Sequence, residues 1–494
     1  MIKIYIILIL GVFISISLKA QWIQVGNELN GESTYDYYGY STCLSSDGSI
    51  IAIGSPYVDS NGSNAGRVQI YKNINDTWLQ IGEDIDGQAT NDLFGSSISL
   101  NTDGTIIAIG AYFSDNYEID DGCVQIYENI NDTWVQIGED IVGKATEDHF
   151  GNFVSLNSNG SIVAIGAFGN DENGSEAGQV RIFENINASW IQIGEDINGE
   201  SSGDKFSGVS LSSNGLILAA SAPFNDNNGS EIGNVKVFRN ITGTWTQIGE
   251  DINGNIVGEL SGYSISLSSD GTIIAIGAPS TNSNGSNEGH VRIFQNINNS
   301  WIQIGEDING EAYDDLFGYS IRLNSDGSVV IISARNNNSN GIEAGRVQIY
   351  KNISNTWVQI DESIDGEAAG DHFGRSVSVN SDGNIIAVGA LDNDSNGIDA
   401  GQVKIYKNLA VNIETNFQKS NSIYPNPTAG IIYFEFAINN IKKLTISDIT
   451  GKQIIVKTEV QQNEQNDLSS FESGIYIISI QTDNEIFTYK IIKE

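Results

Sequence analysis

The chain has 494 residues, 39% of them hydrophobic and 17% charged, with a formal net charge of −38 at pH 7. Nearly all of that charge precedes Gln418, and such a body repels phosphate backbones and anionic lipid, which argues against nucleic acid as a partner. It suits a soluble, self-repelling surface outside the cell.

Residues 1–20 read as a secretory signal peptide. Lys3 gives a positive start, Ile4 to Ile14 is apolar, and Ala20 is a small residue before Gln21. The apolar run is short for a membrane span and no later stretch is long enough, so no transmembrane span is expected in the mature chain.

Residues 21–410 are a repeat. The seven tryptophans, Trp22, Trp78, Trp134, Trp190, Trp245, Trp301 and Trp357, recur at 55 or 56 residues, and a fixed period of this size means one unit copied and packed against itself. Four strand-like runs appear in each unit. In the second they begin at Phe94, Thr105, Gly122 and Trp134, are rich in β-branched and aromatic residues, and are bounded by Gly, Asn and Asp. A short turn with Asp-Gly or Asn-Gly joins the first run to the second in every unit, from Asp47-Gly48 to Asp382-Gly383.

Four antiparallel strands in each of seven units describe an all-β fold, a seven-bladed β-propeller, which leaves only short protected edges. The last unit lacks a Trp strand and an orphan one, Trp22-Ile-Gln-Val-Gly26, stands before the first. The N-terminal strand is therefore expected to close the ring. The tryptophans are expected to pack in or between blades. The Glu-Asp pairs after them, such as Glu83-Asp84, are expected to guard an exposed edge strand. Cys43 and Cys123 fall in different repeat positions and read as unpaired.

Phe94-Gly95, Phe150-Gly151, Phe317-Gly318 and Phe373-Gly374 open repeats, and Gly110-Ala111, Gly166-Ala167, Gly277-Ala278 and Gly389-Ala390 follow. This resembles the FG-GAP repeat of integrin α-subunit propellers and their bacterial relatives. Phe206-Ser207 and Ser261-Gly262 depart from the pattern. The resemblance implies a propeller used for binding, often in adhesion. Integrin blades often carry calcium in the turn between strands one and two, but here Ser99 and Ile107 stand where carboxylates are expected.

The loop between strands two and three is richer in oxygen. The last unit offers Asp392, Asp394, Asn396 and Asp399; earlier ones offer Asp171, Asn173 and Glu176, or Asp226, Asn228 and Glu231. Oxygens at alternating positions around a Gly suit calcium. The same residues also suit a turn held by Asn and Asp side chains.

Residues 411–421 read as a linker and 422–494 as a second, small β domain. Tyr424, Pro425, Asn426, Pro427 and Gly430 open it, and Asp448-Ile-Thr-Gly-Lys452 and Gly474-Ile-Tyr-Ile477 follow. This resembles the C-terminal sorting domain of the type IX secretion system of Bacteroidetes. It implies an Ig-like β-sandwich that engages that machinery, and a Gram-negative protein released or held at the outer-membrane surface.

No catalytic constellation is visible. His149 and His372 occupy one repeat slot and His290 another, and no nucleophile set, zinc spacing or phosphate loop appears. The expected function is binding of an extracellular glycan or protein, not catalysis, with calcium the one candidate cofactor. The rival is a structural surface or matrix component without a specific ligand; a hydrolase is the third reading.

Overall fold

The computed structural model describes residues 22–227, 229–280 and 288–408, and, in the tail, 422–424, 428, 430–435, 443–448, 452–458, 465–481 and 486–493. The proposed signal peptide and linker lie outside them. Two compact units divide at Leu409 and Ala410.

The first unit is seven sheets in chain order. The third is typical: Phe150–Leu156, Ile162–Ala167, Gln179–Ile186 and Ser189–Gln192 lie side by side, all antiparallel. The second strand, with its Ile-Val-Ala-Ile-Gly-Ala run, is buried along its whole length because sheets cover both its faces. Adjacent sheets share their cores, as when Ile98, Leu100, Ile107 and Ile109 pack with Ala52, Val68 and Ile70. Contact is close enough that a Cβ on Gly110 would lie 2.0 Å from the Gly151 carbonyl. A side chain there would part the blades.

The ring closes as the orphan strand predicts. Trp22–Gln24 and Leu29–Asn30 pair with Gln402–Asn408, Trp22 facing Asn408. They complete a sheet with Ile385–Ala390 and Phe373–Val379. A second ring marks closure near the axis. The backbone N–H of Ser46 donates to Thr102, Thr102 to Ser158, Ser158 to Ser213, Ser213 to Ser269, Ser269 to Ser325, Ser325 to Ser381, and Ser381 back to Ser46, at 2.8 to 3.1 Å.

The tryptophans pack between blades. Trp78 is 2% exposed. Its Nε1 donates to the carbonyl of Val25, and Trp134, Trp190, Trp245, Trp301 and Trp357 repeat that bond to Ile81, Ile137, Ile193, Ile248 and Ile304, at 2.9 to 3.1 Å. Trp22 is buried without a partner for its Nε1.

Two expectations need correction. The Trp run is not one strand: Trp134–Gln136 and Ile141–Val142 pair separately with the third strand. Gly138 at φ 77 lies in the interruption. The Asp of each Glu-Asp pair does not guard the edge but ties it: Asp140 accepts from both Gln125 and Gln136. In the strand-one turns only the Gly takes positive φ. Asp47, Asp270 and Asp326 instead accept the N–H two residues on, while in the second and seventh turns Asn101 and Asn380 take it.

The fifth blade, with Ser261 in place of Phe, compensates. Arg292 reaches the Ser261 hydroxyl at 3.0 Å and pairs with buried Glu259 at 3.3 Å. Cys43 and Cys123 are free thiols.

The tail unit is a two-sheet, Ig-like sandwich. One sheet holds Ser422–Tyr424, Ile431–Glu435 and Gln465–Asp467; the other Gln453–Thr458, Lys443–Asp448, Gly474–Gln481 and Ile486–Lys493. Ile432, Leu444, Ile446, Leu468, Tyr476 and Ile478 form its core. Among the described residues no helix is long and apolar enough to cross a membrane.

Candidate binding face

Antiparallel pairing sets which loops meet. The first strand begins beside the end of the second, as Phe150 pairs with Ala167, Phe317 with Ala334 and Phe373 with Ala390. The Phe-Gly ends and the loops between strands two and three therefore share one face of the propeller, and the Asp-Gly turns lie on the other. On the first face the residue after Phe-Gly lies nearest the axis. That slot holds Tyr40, Ser96, Asn152, Gly208, Tyr263, Tyr319 and Arg375 around the ring.

The three tyrosines of the slot gather about Arg375. Its guanidinium carbon lies 3.9 Å from the centroid of the Tyr40 ring and 5.5 Å from that of Tyr319. Tyr319 is also faced by Arg335, at 5.1 Å, whose Nη1 donates to its hydroxyl at 3.3 Å. Tyr263 packs on Tyr319 with centroids 5.2 Å apart. Tyr57 packs on Tyr40 and Tyr37. An arc of Tyr112, Phe113, His149 and Phe168 continues the rim through the second and third blades. Lys205 stands 5.6 Å from both Phe168 and Phe224. Every blade thus contributes to a mouth of aromatic rings around a guanidinium.

The charges feel one another. Burial works to raise the Tyr319 phenol, but Arg375 and Arg335, with the hydrogen bond from Tyr263, carry it below its ordinary value. Burial works to lower Arg375, yet the phenols of Tyr319, Tyr40 and Tyr263 hold it above the usual range. The Tyr263 phenol is pushed up by burial and by Tyr319.

The backbone that presents this rim is strained. Tyr37, Leu93, His149, Lys205, Leu260, Leu316 and His372 share one slot and all have φ between 49 and 56°. A left-handed conformation costs a non-glycine residue on the order of 1–2 kcal/mol. The neighbouring loop holds it there: the N–H groups of His149, Lys205 and His372 donate to the carbonyls of Asp120, Glu176 and Glu343. The side chains of the same pairs meet, Lys205 with Glu176 at 3.4 Å and His372 with Glu343 at 3.7 Å.

One residue earlier lies a ring of buried acids that the sequence reading passed over: Asp36, Asp92, Asp148, Asp204, Glu259, Asp315 and Asp371. They bind the chain linking blade to blade. Asp148 accepts from the N–H groups of Lys144 and Ala145 and from Asn170. Asp204 accepts from Ser201 and Asn225. Burial raises the carboxyls of Asp36, Asp92, Asp204, Glu259, Asp315 and Asp371. The recurring acid two residues before Gly-paired Phe was the signal.

The candidate calcium loops sit on the same face but are built as turns. Asp394 accepts the N–H of Asp399 at 2.8 Å, and Asn396 donates its amide to the Gly31 carbonyl. Asp392 bonds His372 at 2.5 Å. Asp171 and Asp226 likewise accept from Glu176 and Glu231, and Asn173 donates to Gly199. Glu176 is engaged by Lys205. Asn228 lies outside the described residues. Among those described, no group of three or more His, Cys, Asp or Glu is arranged to hold a metal ion. Five of these side chains bond backbone and two bond neighbouring side chains rather than a common centre, so the set does not fit calcium as it stands.

Of the tail's motif residues, Tyr424 pairs through its backbone with Tyr433. Pro425, Asn426 and Pro427 lie outside the described residues. Gly430 is buried where a Cβ would lie 2.9 Å from the Ser469 Cα, and its carbonyl accepts from Leu468.

Residues 143–183 and 364–406 match the FG-GAP repeat, and residues 422–494 match the secretion system C-terminal sorting domain. No curated protein matches the chain. Among solved structures, hydrazine synthase of Kuenenia stuttgartiensis is similar at 14% identity and a TM-score of 0.49, over 78% of this chain and 97% of that one. A 6-phosphogluconolactonase-like protein of Bacteroides uniformis gives 14% and 0.48, over 67% and 86%. The RRP9 WD40 repeats give 12% and 0.46, over 79% and 98%. At that distance they bear on neither activity nor ligand.

Proposed function

Because the chain is a β-propeller of FG-GAP repeats exported to the cell surface or beyond by a type IX sorting domain, we propose that it is an extracellular binding protein. It recognises a glycan or a protein through the mouth on its Phe-Gly face, and it binds without catalysing. The observation that carries this reading is the convergence of Tyr40, Tyr263, Tyr319 and Arg375 from four blades on one point. Part-buried aromatics beside a guanidinium supply area at low entropic cost together with directed donors, as recognition sites do. The opposite face, closed by its ring of backbone bonds, has no comparable cluster among the described residues. The backbone strain beneath the rim supports the same reading, since such strain gathers where side chains must be held in place.

The test is a screen of the exported protein against arrayed glycans and extracellular matrix proteins, in calcium and in chelator. Binding should fall when Tyr40→Ala or Tyr319→Ala is introduced. Binding that survives both substitutions would move the site elsewhere. Self-association with no ligand bound would favour the matrix reading.

A further inference from the structure

Several cations on this acidic propeller are paired with carboxylates. Arg67, Lys205, Lys236, Arg292, Arg346 and Lys404 each have a carboxylate at 3.4 Å or less. Arg335 and Arg375 are not among them, nor are Arg181 and Arg322, which bond backbone carbonyls; of these, Arg335 and Arg375 stand at the mouth. Among the described residues neither has a carboxylate partner, and both contact the same ring, Tyr319. The Nε of Arg335 is buried without a hydrogen-bond acceptor. Arg375 is packed by phenols.

Two guanidiniums on one ring with no carboxylate beside either repel, and part-burial adds a desolvation cost to each. Phenol rings recover some of that through their faces. Stacking uses the face of a guanidinium and leaves its edge, a planar fork of N–H donors that matches a carboxylate. The surrounding rings, Tyr40, Tyr263 and Tyr319, carry hydroxyls and flat apolar faces. Those are the contacts a sugar ring accepts, its C–H face against an aromatic ring and its hydroxyls against phenols.

We propose that the mouth binds an acidic glycan, a sugar chain whose carboxylates are taken by Arg335 and Arg375, whose ring faces lie on Tyr40 and Tyr263 and whose hydroxyls meet the phenols, Tyr319 among them. This rests on the mouth being the ligand site. It adds the charge class, which the strongly acidic body would otherwise argue against. At physiological salt, repulsion from exposed carboxylates fades over about 8 Å, so a local pair of arginines decides recognition within the mouth.

The experiment is calorimetric titration of the exported protein with a hexamer of galacturonic acid and with the same hexamer reduced to neutral galactose units. The acid form should bind at least about tenfold more tightly, the scale of a charge-assisted hydrogen bond. Arg335→Gln should remove that preference, so that the acid and neutral hexamers bind alike. Arg335→Lys keeps the charge without the fork and should retain part of it. Melting of each variant separates lost recognition from lost fold. Equal affinity for the two hexamers, or an acid preference that persists in Arg335→Gln and Arg375→Gln, overturns the proposal and leaves the binding function standing. A carboxylate-free sulfated hexamer that binds more tightly than the acid form also overturns it. If no glycan or matrix protein binds at all, the underlying function fails with it.

Discussion

The backbone N–H of Ser381 donates to the carbonyl of Ser46 at 2.8 Å. The two residues stand near opposite ends of the propeller sequence. Their bond is the last of a seven-membered ring, and it lies beside the sheet that Trp22–Gln24 completes. Deleting residues 22–30 should therefore unpair the edge of Gln402–Asn408 and open the seam. The expected result is a lower, broader melting transition and association through the bared edge. A sharp transition at the original temperature would show that closure does not depend on this strand.

Trp78 and Trp22 occupy equivalent positions and differ in one bond. The Trp78 indole donates to Val25, while that of Trp22 is buried without a partner. Trp78→Phe should cost about 1 kcal/mol beyond the lost area, because the Val25 carbonyl loses its donor. Trp22→Phe removes an unpaired polar group and should cost less. Urea midpoints of the two variants decide it, and equal losses would mean that the bond contributes nothing.

The buried inter-blade acids set a pH dependence. Burial raises six of them, so between the unfolded values, 3.8 for Asp and 4.5 for Glu, and the higher native ones, the native state holds more protons. Stability then falls as pH rises through that window. Burial also works to raise Asp47, Asp270 and Asp326, but hydrogen bonds in the turns win and lower them, so their contribution is present above 3.8 and lost below it. The urea midpoint should fall as pH rises from the unfolded values through the higher native ones, and drop again below 3.8. Asp204→Asn should flatten that fall. His290 opposes it: burial lowers it to about 4, so its contribution is lost as pH falls from 6.5 through that value. His290→Gln should steepen the gain on acidification.

The loop acids Asp171, Asp226 and Asp394 each accept a backbone N–H five residues on. Chelation should leave the melting temperature unchanged. A rise of several degrees on adding calcium would mean that these carboxylates turn from the backbone to form a shell.

Residues 422–494 carry the address. Removing them should leave the protein folded and retained in the periplasm, with fractionation of cells as the measurement. Surface display of the truncated chain would place the signal elsewhere.

Architecture was legible because it recurs. Trp at a fixed period and the Asp-Gly or Asn-Gly turns announce one unit seven times, Phe-Gly four times, and the orphan Trp22 run announces how the ring shuts. The mouth was not legible for the opposite reason. Tyr40, Ser96, Asn152, Gly208, Tyr263, Tyr319 and Arg375 fill one slot with five residue types. Attention to what repeats discards what varies, and only closure brings Arg375 against Tyr40. Setting the slot after Phe-Gly in register would have exposed three tyrosines and an arginine. The Trp run was read as one strand because nothing apolar interrupts it, while Gly138 and its equivalents break the pairing through a positive φ that sequence periodicity does not register.

Strand order in the closing sheet has a consequence for biogenesis. Trp22–Gln24 belongs to the first part of the propeller to be synthesised, and its partner, Gln402–Asn408, to the last. Until that partner exists, the early strand has nothing to join, and the ring cannot be sealed at any intermediate length. The sorting domain follows in the chain. A product cut short within the propeller therefore lacks both its seal and its export address, and the order of synthesis itself acts as proofreading of what reaches the cell surface.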